Sequence, residues 1–148
     1  MTSKSEIGKL GEDIACRYLV DKHYKVLDKN YRQKWGEIDI ITKSPDKTLV
    51  FCEVKTMSQL SHPLDNTLSY STGMVRQAQP LSNERLAPFL KPEDQMTQKK
   101  LQSIQRTASL YAGKYLDLVD DKKGWRIDLI AITLWDDDPE LNHYENVF

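Results

Sequence analysis

Two short apolar runs joined by a tight turn carry charged residues where a fold ordinarily wants valine or leucine. The first is Gly36-Glu37-Ile38-Asp39-Ile40-Ile41 and the second is Leu49-Val50-Phe51-Cys52-Glu53-Val54-Lys55. Successive strand residues alternate faces, so Glu53 and Lys55 project from one face while Cys52 and Val54 project from the other. Sequestering such charges costs on the order of several kcal/mol each unless they pair or bind a metal. Three of them in one hairpin, Asp39, Glu53 and Lys55, point to a use.

An Asp on one strand facing a Glu-x-Lys on its neighbour brings two carboxylates and an ammonium towards one point. Hard oxygen ligands of this kind suit Mg²⁺ or Mn²⁺, which keep several waters and also bind phosphate oxygens. Such an ion lowers the pKa of a bound water and stabilises charge on a scissile phosphate. A lysine two residues along the strand can orient the water or stabilise the developing charge. The plainer alternative is a cross-strand ion pair, the usual meaning of a lone Glu-x-Lys on an exposed strand. Here the motif ends an apolar run beside an acid in a second apolar run, which lowers the weight of that alternative. Glu37 shares a face with Asp39 and reads equally as a further ligand or a rim charge. Asp128 also interrupts an apolar strand, but Arg126 two residues away favours a structural ion pair.

The rest of the chain supplies a frame. Residues 5–22 read as a helix, with Ile7, Leu10, Ile14 and Tyr18 on one face and a capping box from Ser3 and Glu6. Gly8, Ala15 and Leu19 form a flank of mostly small residues suited to close approach to a sheet. Glu12 stands on this flank, where its carboxylate can face the sheet and complete a ligand set directly or through water. A short strand at 24–27, a polar link at 28–36 and the turn Ser44-Pro45-Asp46-Lys47 complete a meander with the two charged strands. From 58 to 94, Pro63, Pro80, Pro88 and Pro92 interrupt any period, and the segment reads as a long insertion with room for a short helix near 83–90. Leu101, Ile104, Ala108, Tyr111 and Tyr115 then mark an amphipathic helix over 95–116. Residues 125–134 form a central strand, and the acidic tail from Asp136 reads as a solvated terminus. The order is α-β-β-β-insertion-α-β, an α/β fold expected to form a single domain over 1–148.

Composition sets the bounds. A chain of 148 residues can bury roughly two thirds of its unfolded surface. Its apolar runs fall short of the ~20 residues that span a bilayer, and the N-terminus lacks a signal-peptide pattern, so a cytoplasmic location is expected. Cys16 and Cys52 read as small buried hydrophobes, and His23, His62 and His143 lack ligand spacing, so no zinc site is expected. Net charge is −1, against a dedicated polyanion binder, yet residues 1–100 hold 16 Lys/Arg to 13 Asp/Glu while 101–148 hold 5 to 9. The mildly positive part offers Arg32, Lys34, Lys99 and Lys100 as phosphate contacts, each individually more often plain surface charge. Trp35 could stack on a base, although a core role at a strand edge is the commoner use.

Several of these residues fall into one pattern. Gly8-x-x-Gly11-Glu12-Asp13-x-Ala15, Asn30-Tyr31-Arg32, Gly36-Glu37-Ile38-Asp39, Leu49-Val50-Phe51-x-Glu53-Val54-Lys55 and Arg126-Ile127-Asp128 resemble the YraN-like family of small bacterial proteins. That family is placed with the restriction-endonuclease-like PD-(D/E)xK nucleases, with archaeal Holliday-junction resolvases as more distant relatives. The likeness is dense over 6–58 and looser over 96–132. It implies a central mixed β-sheet flanked by helices and an active site of Glu12, Asp39, Glu53 and Lys55. It also supplies the substrate class, nucleic acid and above all DNA, and relatives that often act as homodimers; no dimer stripe stands out in the sequence. Ile38 replaces the proline of the superfamily label, which is no metal ligand. The long 58–94 segment departs from the shorter connection of such relatives, directly after Lys55.

The expected function is thus a Mg²⁺- or Mn²⁺-dependent endonuclease, with Asp39 and Glu53 holding the ion, the Val54 carbonyl as a further ligand, and Glu12 supporting a second ion or an ordered water. The competing expectations are a non-catalytic nucleic-acid-binding module and a structural ion-pair network in an interaction domain.

Overall fold

A computed structural model describes residues 3–58, 96–135 and 138–148. From residue 59 on, the segment read as an insertion, the helix expected near 83–90 included, lies outside the described residues, as do Asp136 and Asp137 of the tail. The elements in chain order are α1 (Lys4–Asp21), β1 (Lys25–Gln33), β2 (Gly36–Lys43), β3 (Leu49–Ser58), α2 (Gln98–Lys114), a 3₁₀ turn (Leu116–Leu118), β4 (Trp125–Leu134) and β5 (Pro139–Tyr144). The strands form one sheet in the order β1-β2-β3-β4-β5. The β3–β4 pair is parallel and the others antiparallel, so the sheet is mixed and α2 lies in the crossover between the parallel strands. Nothing in this topology contradicts the restriction-endonuclease-like core that the motifs imply.

Two cores follow from strand alternation. Phe51, Leu49, Ile127 and Ile104 pack on the α2 face, while Val50, Cys52, Ile130, Ala15 and Leu19 pack on the α1 face. Both faces of β3 and β4 are therefore covered, which is why these strands read as nearly unbroken apolar runs.

Local chemistry sets the helix ends. Ser3 Oγ accepts from the Glu6 amide at 3.2 Å and the Ser3 amide donates to Glu6 Oε2 at 2.6 Å, the expected capping box. Thr97 caps α2 by accepting from the Lys100 amide at 3.2 Å, so the helix starts three residues later than its apolar period predicts. The buried face of α1 is Gly11, Ala15 and Leu19, whereas Leu10 of the predicted stripe is 48% exposed. Size decides this: a Cβ at Gly11 would lie 1.8 Å from Thr56 Oγ1, so glycine is what lets α1 rest on β3.

The structure also corrects the reading of two strands. β1 runs through most of the supposed polar link, since an edge strand tolerates polar residues. The tail after Asp138 is a fifth strand, pairing with β4 from Leu134↔Pro139 to Leu129↔Tyr144.

Candidate active site

The β2–β3 ladder is paired from Lys43↔Leu49 to Ile40↔Cys52, and at the next position Asp39 closes it with its side chain. Asp39 Oδ2 accepts the Val54 amide at 2.7 Å, taking the place of a backbone carbonyl. The backbone is displaced here. Ile38 and Ile41, three residues apart, both pack on the α2 face, while Ile40 packs on the α1 face. Strict alternation would place Ile38 with Ile40. Opposite the break, between the pairs Lys29↔Ile40 and Tyr31↔Ile38, stands Asn30 with φ of 52°, a left-handed conformation that asparagine tolerates better than most. Asp39 thus sits at a kink rather than on a core face.

Glu53 projects from the α2 face of β3 and its side chain is only 3% exposed. Lys55 Nζ lies 3.4 Å from Glu53 Oε1, as the two-residue spacing predicts. A second ammonium comes from α2: Lys100 Nζ is 3.4 Å from Glu53 Oε2 and 3.7 Å from Glu37 Oε1. The Lys100 contact is ionic without hydrogen-bond geometry, and Glu53 Oε2 is buried without a hydrogen-bond partner among the described residues. Burial, then the nearby Glu53 carboxylate, raises the Asp39 carboxyl to about 6, against the opposing pull of the Val54 amide and Lys100. Two carboxylates that repel one another, one with an unsatisfied buried oxygen, fit a hard divalent cation; the two ammonium groups supply part of that charge.

The remaining candidates fall around this centre. Glu37 is a rim charge, 48% exposed in its side chain and bridged to Arg32 at 3.4 Å as well as to Lys100. Glu12 accepts from Asn30 Nδ2 at 3.0 Å, which ties it to the residue opposite Asp39. Among the described residues, Glu12, Asp39 and Glu53 do not bring three ligand atoms within 4.8 Å of one another. Of the phosphate candidates, Lys100 is drawn onto the buried carboxylate, while Arg32, Lys34 and Lys99 are exposed. Trp35 is 37% exposed at the β1–β2 turn, not in the core.

A second polar cluster lies on the α1 face of β4. Asp128 is fully buried and receives Arg126 Nε at 3.0 Å, His143 Nε2 at 2.9 Å and the Asn146 amide at 2.9 Å. Arg126 Nη2 also donates to Tyr24 Oη at 3.0 Å and lies 3.4 Å from Glu145. Burial disfavours the Asp128 anion, but the His143 and Arg126 hydrogen bonds outweigh it and its pKa is lowered. Asp128, His143 and Glu145 have ligand atoms within 4.8 Å of one another. The guanidinium, however, already serves as their cation, as the Arg126-x-Asp128 spacing predicts. The part of His143 emerges from the pairing of β5 with β4, and its signal in the sequence is the two-residue spacing of Leu141 and His143.

Comparison with known proteins decides the family. Residues 11–132 match the model of the uncharacterised protein family UPF0102. The chain belongs to that family. It is the YraN-like family of the motif resemblance. A UPF0102 protein of Alkaliphilus oremlandii is 32% identical over 143 residues, 97% of each chain. One from Sulfurihydrogenibium is 32% identical over 149 residues, 98% of this chain and 96% of the relative. A Campylobacter lari member is 55% identical over 49 residues, 33% of this chain and 43% of its own. The family match spans Glu12, Asp39, Glu53 and Lys55 as well as Arg126 and Asp128. Among the described residues, no helix is long and apolar enough to cross a membrane.

Proposed function

We propose that the protein is a metal-dependent endonuclease that hydrolyses phosphodiester bonds in DNA, a reading in keeping with the PD-(D/E)xK resemblance of its motifs. The observation that carries it is the pairing of Asp39, its carboxyl raised to about 6, with a buried Glu53 whose Oε2 lacks a hydrogen-bond partner among the described residues. Asp39 and Glu53 would hold Mg²⁺ or Mn²⁺, with the Val54 carbonyl as a further ligand and Glu12 as support through Asn30. The ion, when bound, supplies Lewis-acid stabilisation of the phosphate and an acidified water.

The chain's own residues supply the rest. Asp39 must be ionised to act as a ligand, and at neutral pH it is, since its carboxyl titrates near 6. Lys55, 40% exposed and anchored on Glu53 Oε1, can hold the attacking water or meet charge developing on the phosphate. In the reaction the water oxygen bonds to phosphorus, the bond from phosphorus to the leaving sugar oxygen breaks, and a proton passes from the water to solvent while the leaving oxygen takes one up. Lys100, 3.4 Å from Glu53 Oε2, would be the inner contact for a substrate phosphate if a bound cation took its place on the carboxylate, with Arg32, Lys34 and Lys99 on the outer surface.

A second reading, a non-catalytic DNA-binding module, is favoured by Lys100 and Lys55 both occupying Glu53. Incubation with branched, flapped and single-stranded DNA plus Mg²⁺ or Mn²⁺ separates the two. Cleavage abolished by Lys55→Ala supports the enzyme; salt-sensitive binding without turnover supports the module.

A further inference from the structure

We propose that Trp35 is a stacking platform for an unpaired base, placed beside the phosphodiester site. This rests on the nuclease reading for its substrate class. The backbone around Trp35 is fixed while the residue stays 37% exposed. Ser103 Oγ of α2 donates to the Trp35 carbonyl at 2.7 Å. A Cβ at Gly36 would come within 2.1 Å of Ser103 Oγ and 2.9 Å of Thr107 Oγ1, so the turn is pressed directly onto α2. Arg106, three residues along α2 from Ser103, sets its guanidinium carbon 5.4 Å from the Trp35 ring centroid, within cation–π range. The aromatic surface is thus pre-positioned, which lowers the entropy lost when a ligand stacks on it.

The charge around the ring selects the ligand. Arg32, Lys34 and Lys100 line the depression that holds Trp35, with Arg106 over the ring, and among the described residues the acid in that lining is Glu37. Glu37 is itself bridged to Arg32 and Lys100. A π-surface among cations is complementary to single-stranded nucleic acid, which offers a flat base and a phosphate with every nucleotide. Lys100 joins this depression to the carboxylate site, since the same ammonium contacts Glu37 and Glu53. Unpaired nucleotides occur at flaps, branch points and strand ends, so the platform favours such DNA over continuous duplex.

The test is a binding cycle in EDTA, where no metal-dependent turnover intervenes. A labelled single-stranded oligonucleotide and versions with one abasic position stepped along it are titrated by anisotropy against wild type, Trp35→Ala and Trp35→Phe. Trp35→Ala should weaken binding about 5- to 150-fold, and Trp35→Phe should retain most of it. One abasic position should reproduce that loss with wild type and add nothing with Trp35→Ala. Equal affinity of Trp35→Ala and wild type, or equal abasic penalties in both, overturns the platform. Should Trp35→Ala fail to fold by circular dichroism, Trp35→Leu takes its place in the same cycle. Cleavage without a Trp35 effect removes the platform alone, a Trp35 effect without cleavage removes the nuclease reading alone, and no nucleic-acid binding by wild type removes both.

Discussion

Asp39→Asn should stabilise the metal-free protein at neutral pH, although it removes a side chain that closes the β2–β3 ladder. The asparagine Oδ1 can still accept the Val54 amide, so the hydrogen bond survives. What disappears is a half-buried anion beside Glu53. The Asp39 carboxyl titrates near 6 in the fold, against 3.8 ordinarily. For an acid with a raised pKa the folded state favours the protonated form. The resulting stability is fully present below pH 4 and is lost as pH rises through 6. A shift of that size corresponds to at most about 3 kcal/mol at 1.36 kcal/mol per unit, and partial solvent access brings the expected value to about 1–2 kcal/mol. Urea unfolding of chelator-treated wild type and Asp39→Asn should give nearly equal midpoints at pH 4 and a higher midpoint for the variant at pH 7.5. Subtracting the two proteins removes the other carboxylates that titrate over the same range. If Asp39→Asn is less stable than wild type at pH 7.5, the Asp39 anion is a member of a structural ion-pair network and the metal argument fails.

The remaining predictions address other parts of the molecule. Lys100→Ala removes a cation that competes for Glu53, so the rise in melting temperature on adding Mn²⁺, measured by differential scanning fluorimetry, should exceed that of wild type; an unchanged rise would show that Lys100 does not compete. Asp128→Ala leaves Arg126 without its buried partner and should cost about 3–5 kcal/mol in denaturant unfolding. The lowered pKa of Asp128 means that its contribution is present above the ordinary carboxylate range and is lost as pH falls through the lowered value, so acid unfolding of Asp128→Ala should be shallower than that of wild type. Gly11→Ala places a methyl 1.8 Å from Thr56 Oγ1 and should cost about 1–3 kcal/mol, with partial recovery in combination with Thr56→Ala.

The parts of the site that were legible in the sequence are those where local pattern and burial coincide. Asp39, Glu53 and Lys55 stood out because strand alternation made charges conspicuous among Ile, Val and Phe, and the Glu53–Lys55 contact follows from that alternation alone. The Arg126–Asp128 pair was legible for the same reason. Lys100 was visible as a cation but not as the partner of Glu53, because nothing in a helical period tells which strand residue faces it. The kink at Asp39 was hidden because it depends on Asn30, a residue of the neighbouring strand, in a left-handed conformation. The full length of β1 and the whole of β5 are illegible in the sequence because edge strands carry polar residues and weak alternation. The buried face of α1 went to Gly11 rather than to the larger Leu10 because close approach to Thr56 rewards the smaller residue.

Binding of Mn²⁺ to wild type and to Asp39→Asn, followed by isothermal titration calorimetry at pH 7.5 and pH 5, tests the proposed metal site most directly. Wild type should bind at pH 7.5 and lose affinity at pH 5, where protons compete for Asp39, while Asp39→Asn should bind weakly at both values. Equal binding by the two proteins, or none by wild type at pH 7.5, would contradict the assignment of Asp39 and Glu53 as metal ligands.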